Sequence, residues 1–369
     1  MLCADGYCER SVVGMERRYR IGVRRGLVAT VAAFAAIVPL GCGARAGLQA
    51  APTDEGGNDG GSGAQALPAD AGDDAAADTD AVANAVGLRA VWASSASDVW
   101  TVGSSGTILH FDGQAWTPFT SGTTENLTGL SGTGPQDVWA TGDEGSVLHW
   151  DGQAWSIVQS NEGVGLIAVW ATTSTDVWTV GVDFSGGTLS GGSGFVAHWD
   201  GSSWSSSDVD DATTLWTVWA SGPDDVWMGG DTAQGAGVIV RGAGTTANPF
   251  DQSTFTGPEL RAIWGSASGD VWLSPYQGVL QHWNGSSFTS AASLPADVQF
   301  FSVAGTASDD VWAVGAGGVA YHYDGTGWSV SSTGATALLS SVWADSSEDA
   351  WAVGASSTIV HWDGASWSP

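Results

Sequence analysis

From Leu88 to the end of the chain, short apolar runs alternate with turns rich in Gly, Ser and Asp-Gly. The first unit predicts four β-strands, at residues 88–93, 98–103, 107–111 and from Trp116 onward, because the turn signals separate the apolar runs at hairpin distances. The runs are continuously apolar rather than alternating, which is typical of sheets covered on both faces. The pattern therefore predicts an all-β domain without helices.

The same unit recurs along the chain, marked by an Asp-aliphatic-Trp step. The separations between successive steps are 39, 39, 49, 45, 40 and 39 residues. The repeat aspartates are Asp98, Asp137, Asp176, Asp225, Asp270, Asp310 and Asp349. Repeats of about forty residues with four strands each are typical of β-propeller blades, whereas a β-solenoid, the alternative, has shorter repeats. We predict a seven-bladed β-propeller over residues 88–369. Its last fourth strand is short, so closure of the ring would be loose or supplied by residues near Val82 to Val86.

A histidine follows the repeat aspartate by twelve residues in five repeats, and His198 holds the same place after a ten-residue insertion. In the fourth repeat Arg241 replaces it. One histidine per blade cannot converge on one ion unless the histidines line the axis, so we expect a structural role, in bonds to neighbouring backbone or to the turn, rather than a metal site. We expect the repeat aspartates to cap tight turns by accepting backbone N–H bonds, the Asp-Gly turns to need Gly for positive φ, and the repeat tryptophans to form the core.

The repeat units resemble those of one known group of proteins. Residues 137–142 (DVWATG) and 147–152 (VLHWDG) resemble the repeats of exported bacterial β-propeller lipoproteins, common in myxobacteria, and are distantly similar to Asp-box (BNR) and kelch-type propellers. The resemblance covers residues 88–369 and implies a propeller. It implies no particular activity, because propellers host lectins, hydrolases, oxidases and scaffolds alike.

Residues 1–41 read as a secretory signal peptide, with arginines before a short apolar stretch at residues 27–40. Met15 is an alternative translation start, in which case residues 1–14 are not part of the protein. Cys42 directly after Gly41 resembles the bacterial lipobox, which implies lipidation of Cys42; Pro39 departs from that pattern, and the alternative is a plain signal peptide with an incidental cysteine. Gly43 favours the outer membrane, with a secreted or periplasmic protein as the alternative.

Residues 42–87 are predicted to be a disordered linker, rich in Ala, Gly and Asp, which cannot bury enough apolar surface to fold. The whole chain has a formal net charge of −29 and contains no lysine. This excess of acid excludes nucleic acid as a partner and disfavours membrane binding through a basic patch. The expected contact with a membrane is the lipid anchor only.

Two classes of function remain open. The first is an enzyme of Asp-box or sialidase type. The fold resembles that of sialidases, which implies three arginines on the substrate carboxylate and a Tyr/Glu nucleophile. The propeller holds three arginines, Arg89, Arg241 and Arg261, but Arg89 and Arg261 share one repeat position four blades apart. The sequence pairs no Glu with Tyr276, Tyr321 or Tyr323. Glycosidases also need two carboxyl groups about 5–10 Å apart. A cleft that brought two carboxylates and an arginine together at the channel mouth would favour this class. The favoured interpretation is a non-enzymatic binding or scaffold module.

The departures from the repeat predict a binding surface. The loop between the second and third strands is enlarged at residues 182–194 and 231–237, and these loops share one face, the loop face, with the connections between blades. Acidic residues outside the repeat positions collect there: Asp143, Glu144, Asp183, Asp208, Asp210, Asp211 and Asp231. One hypothesis is that Ca²⁺ organises them; the alternative is solvated charge. We expect a monomer that engages a protein or glycan at the cell surface.

Overall fold

The computed structural model describes residues 87–185, 192–242, 250–291 and 293–369. The expected signal peptide, the lipidation site at Cys42 and the linker through residue 86 lie outside the described residues. Among those described, no helix has the length and hydropathy needed to span a membrane. Strands and tight turns form the propeller.

Seven four-stranded antiparallel sheets follow one another along the chain. Blade 1 contains β1 (Leu88–Ser95), β2 (Asp98–Gly103), β3 (Ile108–Phe111) and β4 (Trp116–Phe119). Blade 2 contains β5 (Leu127–Gly134), β6 (Asp137–Gly142), β7 (Ser146–Trp150) and β8 (Trp155–Ser160). Blade 3 contains β9 (Val164–Thr173), β10 (Asp176–Asp183), β11 (Ser193–Trp199) and β12 (Trp204–Val209). Blade 4 contains β13 (Thr214–Gly222), β14 (Asp225–Asp231), β15 (Ala236–Gly242) and β16 (Asp251–Pro258).

The last three blades follow the same order. Blade 5 contains β17 (Leu260–Ala267), β18 (Asp270–Pro275), β19 (Gln281–Trp283) and β20 (Phe288–Ser290). Blade 6 contains β21 (Phe300–Ala307), β22 (Asp310–Gly315), β23 (Val319–Tyr323) and β24 (Trp328–Ser332). Blade 7 contains β25 (Leu339–Ser346), β26 (Asp349–Gly354), β27 (Ile359–Trp362) and β28 (Trp367–Ser368). The predicted seven-bladed β-propeller is confirmed, with strands close to those expected.

The first strand of every blade is innermost, and the inner strands pack against one another around the ring. The inner strand of blade 1, β1, packs against β25 of blade 7, which closes the circle. The short last strand β28 pairs with β27 of its own blade through Trp362 and Trp367. Closure therefore comes from side-chain packing between the first and last blades. The residues near Val82 to Val86 that we considered for this role lie outside the described part of the chain.

The hydrophobic core is built from the same positions in every blade. Each inner strand buries one large apolar residue near its start, such as Leu127 or Phe300, both fully inaccessible to solvent. Each second strand buries its tryptophan, with Trp312 at 0% and Trp351 at 5% exposure. The fourth-strand tryptophan packs edge-on against the second-strand tryptophan of the preceding blade, as Trp367 does on Trp312 at 5.1 Å between ring centroids. The expected tryptophan core is confirmed, and these rings join neighbouring blades.

Each repeat aspartate is the centre of a side-chain network. Its Oδ1 accepts a hydrogen bond from the repeat histidine at 2.5–2.7 Å, as in the pair His322 Nε2 and Asp310 at 2.6 Å. The imidazole also stacks on the second-strand tryptophan, with centroids of Trp312 and His322 4.3 Å apart. In blade 4 Arg241 does both, donating to Asp225 at 2.7 Å and lying 4.3 Å above Trp227. The histidines are structural, as expected, but they bond to the repeat aspartate side chains rather than to the neighbouring backbone or the turn.

The partners of the repeat aspartates correct one expectation. In six blades the second oxygen, Oδ2, accepts from a Ser or Thr hydroxyl four residues earlier, as from Thr306 to Asp310 and from Ser221 to Asp225. The network thus satisfies these half-buried carboxylates with side chains instead of the backbone N–H groups that we expected. The Asp-Gly turns do behave as expected: Asp324 Oδ1 accepts from the N–H of Thr326 and of Gly327, and Gly325 has φ 84°.

Blade 7 departs from this network at one position. Asp345 stands where the other blades have Ser or Thr. The Oδ2 atom of Asp349 is buried and, within the described part of the chain, has no hydrogen-bond partner. Burial and the neighbouring Asp349 carboxylate raise the pKa of Asp345. A carboxyl group thus replaces a hydroxyl donor beside a buried acceptor.

Candidate functional site

The acids that the sequence placed on the loop face divide into separate sites. Asp143 directly follows the second strand of blade 2, and its carboxylate accepts from the backbone N–H and the side-chain amide of Asn126 at 3.1 and 2.8 Å. It therefore fixes the connection from blade 1. Glu144 is exposed in the following turn.

The acids of blade 3 are solvent-facing or bonded locally. Asp183 accepts from the N–H of Ser185 at 2.6 Å. Asp208 is exposed on the outer strand β12, and Asp210 and Asp211 are exposed in the turn that follows. Among the residues that the structure describes, no three His, Cys, Asp or Glu side chains are placed to hold a metal ion. The geometry therefore gives the calcium hypothesis no support, and it favours solvated charge for these acids.

Asp231 is the exception, because it takes part in a dense side-chain cluster. Its Oδ2 accepts from Trp216 Nε1 at 3.2 Å. Its Oδ1 is buried and has no hydrogen-bond partner among the described residues. Burial raises the pKa of Asp231, and the Glu259 carboxyl, within hydrogen-bonding contact, raises it further, although Trp216 and Arg261 act in the opposite direction. Two carboxyl groups, those of Asp231 and Glu259, therefore lie close together in a partly buried position, where their negative charges repel each other.

Arg261 completes this cluster. Its Nε and Nη2 both donate to Glu259 Oε1, at 3.0 and 2.6 Å. Its guanidinium lies 3.8 Å above the ring of Trp216 and 5.0 Å from the ring of Tyr276. Cation–π contacts of this kind are worth about 0.5–2 kcal/mol each. We call Trp216, Asp231, Glu259, Arg261 and Tyr276 the loop-face cluster.

The repeat itself brings these residues together. Trp216 and Arg261 hold the same place on the inner strands of blades 4 and 5, nine residues before the repeat aspartate. Asp231 and Tyr276 hold the same place in those blades, six residues after it. Inner strands of neighbouring blades pack side by side, so equal places in adjacent repeats become neighbours. Sequence reasoning missed Trp216 and Glu259, although this shared register was a signal that could have found them.

The cluster meets one criterion for an enzyme and fails another. Two carboxyl groups and an arginine do come together, as an Asp-box enzyme would require. The Asp231 and Glu259 carboxyls are in contact, however, whereas glycosidases hold theirs about 5–10 Å apart to admit the sugar. Arg261 uses its Nε and Nη2 on Glu259 and lies against two aromatic rings, so part of its guanidinium is already engaged within the cluster.

A cavity of about 510 Å³ opens beside the cluster, between blades 4 and 5. Phe255 and Pro258 of β16 line one side, and Phe288 and Ser290 of β20 line the other. Its end is formed by residues next to Tyr276. The lining residues are apolar or neutral: Ile239, Phe255, Gly257, Pro258, Pro275, Gln277, Gly278, Val279, Gln281, Phe288 and Ser290. Its volume lies within the range of about 300–1,000 Å³ that is usual for ligand pockets.

No protein-family model matches the chain, and no curated protein matches it. Solved structures do resemble it. YCF48 from Cyanidioschyzon merolae aligns over 76% of this chain and 96% of its own, with 16% identity and a TM-score of 0.58. YCF48 bound to D1 peptide aligns over 76% and 94%, with 16% identity and a TM-score of 0.57. The WD40 β-propeller domain of Doa1 aligns over 77% and 93%, with 11% identity and a TM-score of 0.59. At these identities, what the chain shares with them is the β-propeller fold.

Proposed function

We propose that this chain is a non-enzymatic binding module that engages a protein partner through its loop face. The observation that carries the proposal is the loop-face cluster with its adjoining cavity. Both include residues that differ from those at the same places in most other blades, on a scaffold whose other parts repeat from blade to blade. Loops on a rigid scaffold commonly carry binding function. One structural neighbour, YCF48, is bound to a peptide in its solved structure, which supports a protein as the kind of partner.

A protein partner fits this surface better than a glycan. Lectins commonly stack a free aromatic ring on the face of a sugar. In the loop-face cluster, one face of the Trp216 ring and one face of the Tyr276 ring already lie against the Arg261 guanidinium, which limits such stacking there. The acid-rich composition, with a formal net charge of −29, favours a partner with a basic contact surface.

The proposed location follows from the N-terminal sequence. The chain is exported, lipidated at Cys42 and held at the cell envelope, with the acidic linker separating the anchor from the propeller. In this arrangement the loop face is displayed to partners in the envelope. The absence of enzymatic activity is part of the proposal and rests on the contact between Asp231 and Glu259.

Site-specific photocrosslinking in cells tests the proposed function. A photoreactive amino acid replaces Gln277, which is exposed at the rim of the cavity. The matched control replaces Val330, which is 70% exposed on the outer strand of blade 6. We expect a discrete crosslinked protein from position 277 and none from position 330. Equal crosslinking at both positions, or no crosslinked protein at 277, contradicts the proposal.

A further inference from the structure

The cavity between blades 4 and 5 originates from one exception in the repeat. Five residues after the repeat aspartate, six blades have Gly, and blade 5 has Pro275. At Gly315 and Gly354 an added Cβ would collide with the carbonyl oxygen of the facing inner strand. A proline carries that Cβ and also lacks the backbone N–H. Blade 5 therefore cannot repeat the turn of the other blades.

The hydrogen bonds around Pro275 show the consequence. In blades 1 and 7, the equivalent Gly103 and Gly354 donate their N–H to the carbonyl four residues on, at 3.0 and 2.9 Å, and this bond closes the turn. Pro275 cannot donate, and the carbonyl of Val279 accepts from the Gln281 side-chain amide at 3.2 Å instead. Pairing of β18 with β19 extends only from Val271 to Leu273. The segment after Pro275 leaves the sheet, and the cavity opens beneath it.

A second exception widens the cavity. Phe288 stands where five other blades have the buried or half-buried fourth-strand tryptophan. The smaller ring is 38% exposed and meets Phe255 of blade 4 edge-on, with centroids 6.4 Å apart. An exposed phenylalanine beside a second aromatic ring leaves apolar surface uncovered. Burial of such surface against an apolar side chain would favour binding.

We infer that this cavity is the anchor pocket for one aromatic or branched aliphatic side chain of an extended segment in the partner protein. The inference rests on the proposed function and deepens it. An extended segment fits because β16 and β20 are the outermost strands of their sheets, and the cavity lies between them. The occupant carries Lys or Arg beside the anchor, because the lining is uncharged while the chain as a whole has a formal net charge of −29.

The test selects random twelve-residue peptides from a phage-displayed library on the purified full-length chain, in detergent. Enriched peptides are synthesised, and their affinities are measured by fluorescence anisotropy. Two variants alter the cavity. Pro275→Gly restores the residue of the other blades and allows the turn to close, and Ser290→Trp fills the space from the exposed edge strand. Val330→Trp, an equally placed substitution on the outer strand of blade 6, is the control.

We expect enriched peptides to share an aromatic or branched aliphatic residue next to Lys or Arg. Their affinity should fall at least tenfold with Pro275→Gly and with Ser290→Trp, and stay unchanged with Val330→Trp. Peptides that bind all variants equally would overturn the anchor pocket but leave a protein-binding function standing. Enrichment of acidic peptides would overturn the charge argument. No enrichment of peptides over bare matrix also overturns the inference. Photocrosslinking at position 277 tests the proposed function independently of this result.

Discussion

Replacing Asp345 by threonine should stabilise the protein. Six blades supply a Ser or Thr hydroxyl to Oδ2 of the repeat aspartate, and blade 7 supplies a carboxyl, which in its ionised form has no proton to donate. Asp349 is only 8% exposed, and its Oδ2 has no hydrogen-bond partner among the described residues. Asp345→Thr provides the missing donor and removes a like charge. The variant gives blade 7 the threonine that donates to Oδ2 of the repeat aspartate in blades 2, 3 and 6.

The gain can be estimated from the hydrogen bond alone. A typical intramolecular hydrogen bond contributes about 0.5–1.5 kcal/mol, and a buried acceptor left without a partner costs about 1–3 kcal/mol. The side chain of Asp345 is exposed, so solvent screens its repulsion with Asp349 and that contribution is small. We expect a gain of about 1 kcal/mol in the free energy of unfolding, or about 2 °C in Tm for a domain of this size.

The gain should depend on pH. Burial and Asp349 raise the pKa of Asp345 above its ordinary value of 3.8, so the folded chain holds this proton more tightly than the unfolded chain. The wild type therefore loses stability as the pH rises from about 3.8 through the raised pKa. A protonated Asp345 can itself donate to Asp349, whose other oxygen is held by His361. The advantage of threonine should be small in acid and complete at neutral pH.

Differential scanning calorimetry of the wild type and the Asp345→Thr variant between pH 3.5 and 7.5 measures this difference. The matched control is Thr306→Asp, which imposes the blade 7 chemistry on blade 6 and should destabilise by a similar amount at neutral pH. An Asp345→Thr variant that is no more stable than the wild type at pH 7 would refute the reasoning. So would a stabilisation that is equally large at pH 3.5 and 7.5.

Two further changes test the core and the anchor. Trp312→Ala removes a fully buried ring that contacts Trp362, Trp367 and His322. We expect it to lower the free energy of unfolding by about 3–5 kcal/mol, measured by urea denaturation with Val330→Ala on the exposed outer strand as the control. A loss below 1 kcal/mol would contradict the packing argument. Cys42→Ala should release the protein from the membrane fraction and abolish its labelling by radioactive palmitate, whereas membrane retention without labelling would show that Cys42 is not the anchor.

Much of the fold could be predicted because its determinants are local and repeated. Each strand, turn and buried tryptophan is specified within a single unit of about forty residues, and seven units in one register fix both the blade and the number of blades. The histidines were assigned a structural role for the same reason. The predicted partner, neighbouring backbone or the turn, was wrong, because the hydrogen bond from His322 to Asp310 forms across two paired strands and depends on the register of that pair.

The candidate site could be predicted only in part. Asp231 was singled out as an acid outside the repeat positions, but its neighbours Trp216, Glu259 and Arg261 come from two blades, and their contact requires the packing of β13 against β17. The other acids of the loop face could be located along the chain, yet their separation from one another depends on the size and curvature of the ring. Sequence spacing alone carries no such distances.

The sequence by itself determined the architecture: seven units, four strands in each, and a tryptophan core, all set by hydrophobic period and turn chemistry within each unit. Tertiary structure decided what the exceptions to the repeat do. The sequence shows that Pro275 differs from the glycine of the other blades, but only the structure shows the cavity between Pro275 and Phe255 of the neighbouring blade. In the sequence Asp345 is one of many acidic residues, and only the structure shows that it lies beside the buried Oδ2 of Asp349. Local patterns specify elements, whereas the contacts between elements exist only after the ring has closed.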